Sequence, residues 1–248
     1  MFEASISDPK LFATIIKALA IIDEGTFVAT PEKLYLSEMD PAKVAMVEIE
    51  LPNSVFDKYI CEEKTLFKVD LDEFRKVARR AKSGDIVELI LDDKENVLKV
   101  RFIGKVTRTF SIALQETEEV EARKPNIPFK VNIKLLPDVI KSAVQDAKIV
   151  GEYVEMKATS TLFTIRSSSN IGEIVVEINK DDETVLEYVV EEDSRAVYPL
   201  NYLEDMIAAV AAADVLTINF ATDMPLKMEY LIPGGGKITY YLAPKREA

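Results

Sequence analysis

"VDLDEFRKVARRAKSGDIVELIL" (69–91) and "YPLNYLEDMIAAVAAADVLTINF" (198–220) align without a gap at an offset of 129 residues. Leu71 meets Leu200, Phe74 meets Leu203, Asp85 meets Asp214, and Ile86-Val87 meets Val215-Leu216. A second correspondence runs at an offset of 128, with Leu11, Phe12, Ile15, Ile16 and Leu19 falling on Val139, Ile140, Ala143, Val144 and Ala147. One unit is written twice, over 1–114 and 129–248, with 115–128 between the copies.

Each copy contains two short helical patterns with apolar residues at i, i+3, i+4 and i+7, the stripe of a helix packed on a core along one face. Most of the remainder alternates as strands do: "AMVEIELP" (45–52), "VLKVRFI" (97–103), "RTFSIAL" (108–114), "EIVVEIN" (173–179) and "KMEYLIP" (227–233). "DDKEN" (92–96) and "PGGG" (233–236) supply tight turns. The expected fold class is α+β: an antiparallel sheet in each copy with its helices on one side. Between the copies, "QETEEVEARKPNIP" (115–128) is acidic and then broken by two prolines, which remove donors and favour extended geometry. It reads as an extended surface linker.

The composition, 48% apolar and 30% charged over 248 residues, is that of a folded protein. No apolar run approaches a membrane span, and "MFEASISDPK" lacks the pattern of a signal peptide, so a soluble intracellular protein with no membrane partner is expected. The single cysteine, Cys61, excludes an internal disulfide and a multi-cysteine metal site. The absence of histidine removes His-centred triads and the commonest general base. No metal, cofactor or catalytic residue is assigned. Net charge is −12, which opposes nucleic-acid binding unless the positive charge is concentrated.

It is concentrated. Opposite the Leu71, Phe74, Val77, Ala78 and Ala81 stripe, Arg75, Arg79 and Lys82 form an exposed row, with Lys76 and Arg80 beside them. Lys10 and Lys17 are seven apart on the first helix, and so are Lys141 and Lys148 on the third. The fourth helix breaks the pattern, with Glu204, Ala208 and Ala211 at the positions of Arg75, Arg79 and Lys82. No aromatic residues interleave with these cations, so the surface suits phosphate contact without base reading.

Duplicated halves of this size, a basic helical row in an acidic chain, the central linker and the closing "YYLAPK" together resemble the sliding clamps of the proliferating cell nuclear antigen family, archaeal type. The resemblance runs end to end. It includes "MFEA", "LSEMDPAKVAMVEIELPNSVFDKY" (36–59) and "MPLKMEYLIPGGGKITYYLAPK" (224–245) in family order and spacing.

The resemblance implies a closed ring of three subunits, identical or mixed, with sheets outside and helices lining a hole that encircles duplex DNA without reading its sequence. Lys10, Lys17, Arg75, Lys76, Arg79, Lys141 and Lys148 would face the DNA. The strands holding Phe110 and Ile112, and Ile174 and Val176, would meet between subunits, with Arg80, Lys82 and Arg108 facing Asp146 across the joint. A shallow pocket would receive hydrophobic and aromatic motifs from a DNA polymerase, ligase or flap nuclease, while a clamp loader would place the ring. That pocket would use Met39, Val44, Pro225, Tyr241, Ala243 and Pro244, with Val120 or Pro125 from the linker and Lys43 and Lys245 at its rim. Tyr240 and Leu242 would fill the core. An archaeal clamp would work in the cytoplasm with the nucleoid, a eukaryotic one in the nucleus.

Two departures from the family pattern stand out. The linker offers Val120 where relatives carry larger apolar residues, and the fourth helix lacks cations, pointing either to an asymmetric DNA path or to a mixed ring. Among rival readings, the acid pairs Asp92-Asp93, Asp181-Asp182 and Glu191-Glu192-Asp193 lie in turn-like segments where solvated acids are the ordinary case. "PGGGK" lacks the spacing of a phosphate loop, and Cys61 has no histidine partner. A non-replicative scaffold on the same fold is the alternative function.

Overall fold

The computed structural model describes residues 1–117 and 125–245. The first half runs β1 (Phe2–Ile6), α1 (Pro9–Lys17), β2 (Glu24–Ala29), β3 (Lys33–Met39), β4 (Ala45–Pro52), β5 (Lys58–Cys61), β6 (Thr65–Asp70), α2 (Leu71–Ala78), β7 (Ile86–Asp92), β8 (Val97–Ile103) and β9 (Arg108–Ala113). The second half repeats that order: β10 (Val131–Leu135), α3 (Pro137–Val150), β11 (Tyr153–Ala158), β12 (Leu162–Ser169), β13 (Gly172–Asn179), β14 (Val185–Val190), β15 (Ser194–Pro199), α4 (Leu200–Met206), β16 (Val215–Phe220), β17 (Leu226–Ile232) and β18 (Gly236–Leu242). A 3-10 turn, Ile207–Ala212, continues α4.

The sheets correct one expectation. Instead of one sheet per half there are three, and the largest is shared, in the order β14-β10-β16-β17-β18-β4-β3-β2-β6. Strand β18 of the second half pairs antiparallel with β4 of the first, setting Tyr240 opposite Val47 and Ile238 opposite Ile49. This seam satisfies edge N–H and C=O groups that would otherwise be open to foreign strands.

The shared sheet is a template for the other two. Its block β14-β10-β16-β17-β18 is repeated as β5-β1-β7-β8-β9, and its block β4-β3-β2-β6 as β13-β12-β11-β15. Strands β9 and β13 therefore hold the places of β18 and β4. Among the described residues β9 pairs in a ladder only with β8, and β13 only with β12. Both are open edges.

The correspondence extends to single residues. The row Leu89–Val100–Phe110 across β7, β8 and β9 repeats Ile218–Met228–Tyr240 across β16, β17 and β18. Ser167–Ile174 across β12 and β13 likewise repeats Glu38–Val47 across β3 and β4. Tyr240 and Val47, which meet at the seam, are both 0% exposed. Their counterparts Phe110 and Ile174 are only half-buried.

The helices pack on one side of this layer. Asp8 caps α1 by accepting the Leu11 N–H, Pro9 occupies the first turn where its missing donor costs nothing, and Asp70 caps α2 through the Glu73 N–H. Phe12, Ile15 and Ile16 of α1 and Leu71 and Phe74 of α2 enter the core. Tyr240 and Leu242 are buried there as expected, and the Tyr240 hydroxyl donates to the Ala18 carbonyl at 2.6 Å. Among the described residues no helix is long and apolar enough to cross a membrane.

Helix α2 corrects the reading of its basic row. It ends at Ala78 with Arg79 as its C-cap, so Arg80 and Lys82 belong to the turn that follows. Arg75 is 9% exposed and does not stand on the solvent face. Its guanidinium donates to the Leu19 carbonyl at 2.8 Å and the Ile22 carbonyl at 3.1 Å, and pairs with Asp72. Carbonyls at and beyond a helix C-terminus lack intrahelical donors and carry partial negative charge, so a cation is drawn to them.

Candidate functional site

On the helix side, α1 and α2 enclose a shallow groove of about 160 Å³ lined by Lys10, Ala13, Thr14, Lys17, Arg75 and Arg79. Lys10, Lys17, Lys76 and Arg79 are exposed and make no ion pair among the described residues. Arg75 reaches the same groove while anchored to the turn after α1, so it contributes charge from a fixed position. In the second half Lys141 is half-buried, and exposed Lys148 is paired with Glu204 of α4.

At the open edges, Phe110, Ile174 and Val176 are half-buried, whereas Ile112 is 3% exposed and already spent on the core. That removes the Ile112 side chain from the expected joint. Arg108 is a second correction: its guanidinium pairs with buried Asp85, donates to the Arg80 carbonyl at 2.8 Å and lies 5.1 Å from the Phe102 ring centroid. A cation satisfied within its own chain is a poor candidate for an ion pair across a joint. A Cβ on Gly104 would run into the Asp85 Oδ1, so any side chain there would force the Asp85 carboxylate to shift. Arg80, Lys82 and Asp146 are exposed.

The third surface lies beside the β18–β4 seam. Met46 of β4 faces Met39 of β3 on one side and Tyr241 of β18 on the other, giving an apolar row on the face opposite the core residue Tyr240. Met39 is 50% exposed, Met46 is buried between its neighbours, and Tyr241 is half-buried with its hydroxyl pushed up to about 12, first by burial and then by Glu48 and Glu229. Val44, Pro225, Ala243 and Pro244 are also half-buried, and Lys43 and Lys245 are exposed. Pro225 precedes Leu226, which pairs with Leu242, and this brings it beside Ala243.

The Met39–Ala45 connection is held by one carboxylate. Asp40 accepts the backbone N–H of Ala42 at 3.0 Å, Val44 at 2.7 Å and Ala45 at 2.6 Å. Lys43 turns the chain with φ 57°. The tail docks on the same loop, with Ala243 N–H donating to the Val44 carbonyl at 2.8 Å. Lys245 N–H then donates to the Val197 carbonyl at 2.7 Å, and its Nζ lies 4.1 Å from the Tyr153 ring centroid. Burial pushes the Asp40 carboxyl up, but hydrogen bonds from Ala45, Tyr202, Val44 and Ala42 outweigh it and hold the group below its ordinary value.

Met46 and Tyr202 were missed in the sequence. Met46 becomes visible once β3 and β4 are paired as a hairpin, and no local signal marked Tyr202. Pro125 is exposed, and Val120 lies outside the described residues.

Residues 1–119 match the family model for the proliferating cell nuclear antigen N-terminal domain, and residues 123–245 match that for its C-terminal domain. The chain belongs to the proliferating cell nuclear antigen family. It is similar to the DNA polymerase sliding clamp of Thermococcus gammatolerans, with 36% identity over 99% of both chains. It is also similar to that of Pyrococcus horikoshii, with 34% identity and the same coverage. The crystal structure of proliferating cell nuclear antigen from Thermococcus kodakaraensis superposes with a TM-score of 0.91 at 28% identity, covering 99% of this chain and 100% of that one. A PCNA2-PCNA3 complex from Sulfolobus tokodaii gives a TM-score of 0.92 at 26% identity with the same coverage. Against this proliferating cell nuclear antigen frame, the helix groove and the Met39–Met46–Tyr241 row lie on opposite sides of the sheet layer.

Proposed function

We propose that this chain is a DNA polymerase sliding clamp: three copies close into a ring around duplex DNA and hold replication enzymes on it. The observation that carries the reading is the seam built into the chain. Strand β18 closes on β4, and the same sequence carries a second pair of edges, β9 and β13, each unpaired on its outer side among the described residues. Joining β9 of one copy to β13 of the next reproduces the seam head to tail, the kind of contact that generates rings. Carrying the register across the repeat sets Phe110 opposite Ile174, where Tyr240 meets Val47.

The helix contacts support the same joint. Within the chain, α1 packs on the turn after α4. The counterpart between copies brings α3, with Asp146, to the turn after α2, with Arg80 and Lys82. The overall negative charge leaves duplex favoured only where the helices concentrate cations. The Met39–Met46–Tyr241 row with Val44, Ala243 and Pro244 fits a short apolar and aromatic motif of a polymerase or other replication enzyme, and Lys43 and Lys245 suit its acidic flanks. The chain itself is read as a non-catalytic processivity factor of archaeal type, acting inside the cell.

The test has two arms. The mass in solution should be three times the chain mass, and the double variant Phe110→Cys/Ile174→Cys should crosslink into a covalent trimer under mild oxidation. The protein should also lengthen the products of a partner polymerase on primed circular DNA once a clamp loader is supplied. Intact trimers that neither load nor stimulate would instead support a non-replicative scaffold, and a lone monomer would support a mixed ring.

A further inference from the structure

We infer that the duplex rides on the N-terminal half of each chain, so that the hole presents positive lobes alternating with acidic ones; this rests on the clamp reading above. Residues 9–17 and 71–82, covering α1, α2 and the turn after it, carry seven Lys and Arg against two Asp and Glu. The corresponding stretch of the second half, residues 137–150 and 200–212, carries two Lys against four Asp and Glu. The helix layer therefore changes sign between halves whose backbones repeat each other.

Side-chain pairing sharpens the difference. The α1–α2 groove gathers Lys10, Lys17 and Arg79, none of them in an ion pair among the described residues, around a space of about 160 Å³, with Arg75, already paired with Asp72, in its wall. Arg75 is pre-placed there by its bonds to Leu19 and Ile22. Its counterpart in the repeat is Glu204, and Glu204 holds the Lys148 ammonium. A lysine that must leave a carboxylate before meeting a phosphate contributes little to binding. Asp205 stands next to Glu204, so a phosphate approaching Lys148 meets two carboxyl groups in succession. At physiological ionic strength charges are felt over about 8 Å, so a phosphate senses the lobe beneath it and not the average of the hole. Glu204 thus acts as a guard that confines DNA contact to three of the six half-units.

Binding of a short duplex to the intact ring, measured by fluorescence anisotropy over a series of salt concentrations, tests this. Lys10→Ala/Lys76→Ala/Arg79→Ala should weaken binding by about tenfold at low salt and reduce the salt slope by about 2 to 3. Lys141→Ala/Lys148→Ala should weaken it by less than about twofold, because Lys148 is already engaged. Glu204→Gln should tighten it by about twofold or more, and adding Lys148→Ala should remove the gain. Equal losses from the two lysine sets, or no gain from Glu204→Gln, would overturn the uneven path and leave the clamp reading standing. Failure of the unaltered ring to bind duplex at all would overturn both. All these residues are exposed or half-buried, and the mass of each variant checks that the ring is intact.

Discussion

The Tyr202 hydroxyl donates a hydrogen bond to the Asp40 carboxylate at 2.7 Å, joining helix α4 of the second half to the β3–β4 loop of the first. The same carboxylate organises three backbone donors of that loop, so this contact links the Met39–Met46–Tyr241 surface to the helix layer. Tyr202→Phe is predicted to cost about 1 kcal/mol of stability and to weaken capture of a hydrophobic-aromatic peptide severalfold with the ring unchanged. Thermal unfolding and peptide calorimetry check both; unaltered peptide affinity would detach Tyr202 from docking.

Acid should loosen the same loop. Asp40 is held below its ordinary carboxyl value, so its contribution is complete above the unfolded value near 4 and fades as pH falls through the folded one. Asp40→Asn, which cannot accept charge-assisted bonds from Ala42, Val44 and Ala45, should be less stable by about 2–4 kcal/mol at neutral pH. The gap to the unaltered protein should narrow in acid, and denaturant midpoints across pH 2–7 would read it, as a flat difference contradicts the role of the charge.

Arg108 and Arg80 should separate fold from assembly. Arg108→Ala leaves buried Asp85 without its cation and is predicted to destabilise the single chain by about 3–5 kcal/mol. Arg80→Ala/Lys82→Ala should leave chain stability within about 0.5 kcal/mol while making the trimer dissociate at lower salt. Sedimentation across a salt series, set beside urea unfolding, distinguishes the two; a salt-sensitive trimer in Arg108→Ala with normal unfolding would reverse the assignment.

The apolar row should carry the docking energy. Met39→Ala removes a half-exposed side chain that a bound motif would cover and is predicted to cost about 1–1.5 kcal/mol of peptide affinity. Lys43→Ala, at the rim, should cost under about 0.5 kcal/mol and mostly at low salt. Equal losses from the two would place the binding energy at the rim.

The repeat in the sequence carried much of the fold, because the spacing that relates Phe74 to Leu203 or Leu19 to Ala147 survives where identity does not. Strand limits were legible wherever period two was clean, as at 45–52 and 97–103, both reproduced by β4 and β8. Pairing across the halves was not, since β18 and β4 are far apart in the chain and neither strand names its neighbour. Arg75 misled for a related reason: helical spacing put it opposite the stripe, but a long flexible side chain can fold under the next turn to reach Leu19 and Ile22. Arg108 was likewise placed by strand position alone, which carries no information about Asp85. The apolar row was legible in Met39 and Tyr241 because they belong to quotable motifs, and not in Met46, whose part depends on which strands lie on either side.

A closed ring must break somewhere to admit a duplex whose ends are out of reach. Both strands of the β18–β4 seam belong to one molecule, so they stay at high effective concentration however far the protein is diluted. The proposed Phe110–Ile174 joint would have no such tether, and its closure would depend on how many free chains are present. Entry of DNA is therefore expected through a parted β9–β13 junction, and any loading factor would need to pry at Phe110 and never at Tyr240.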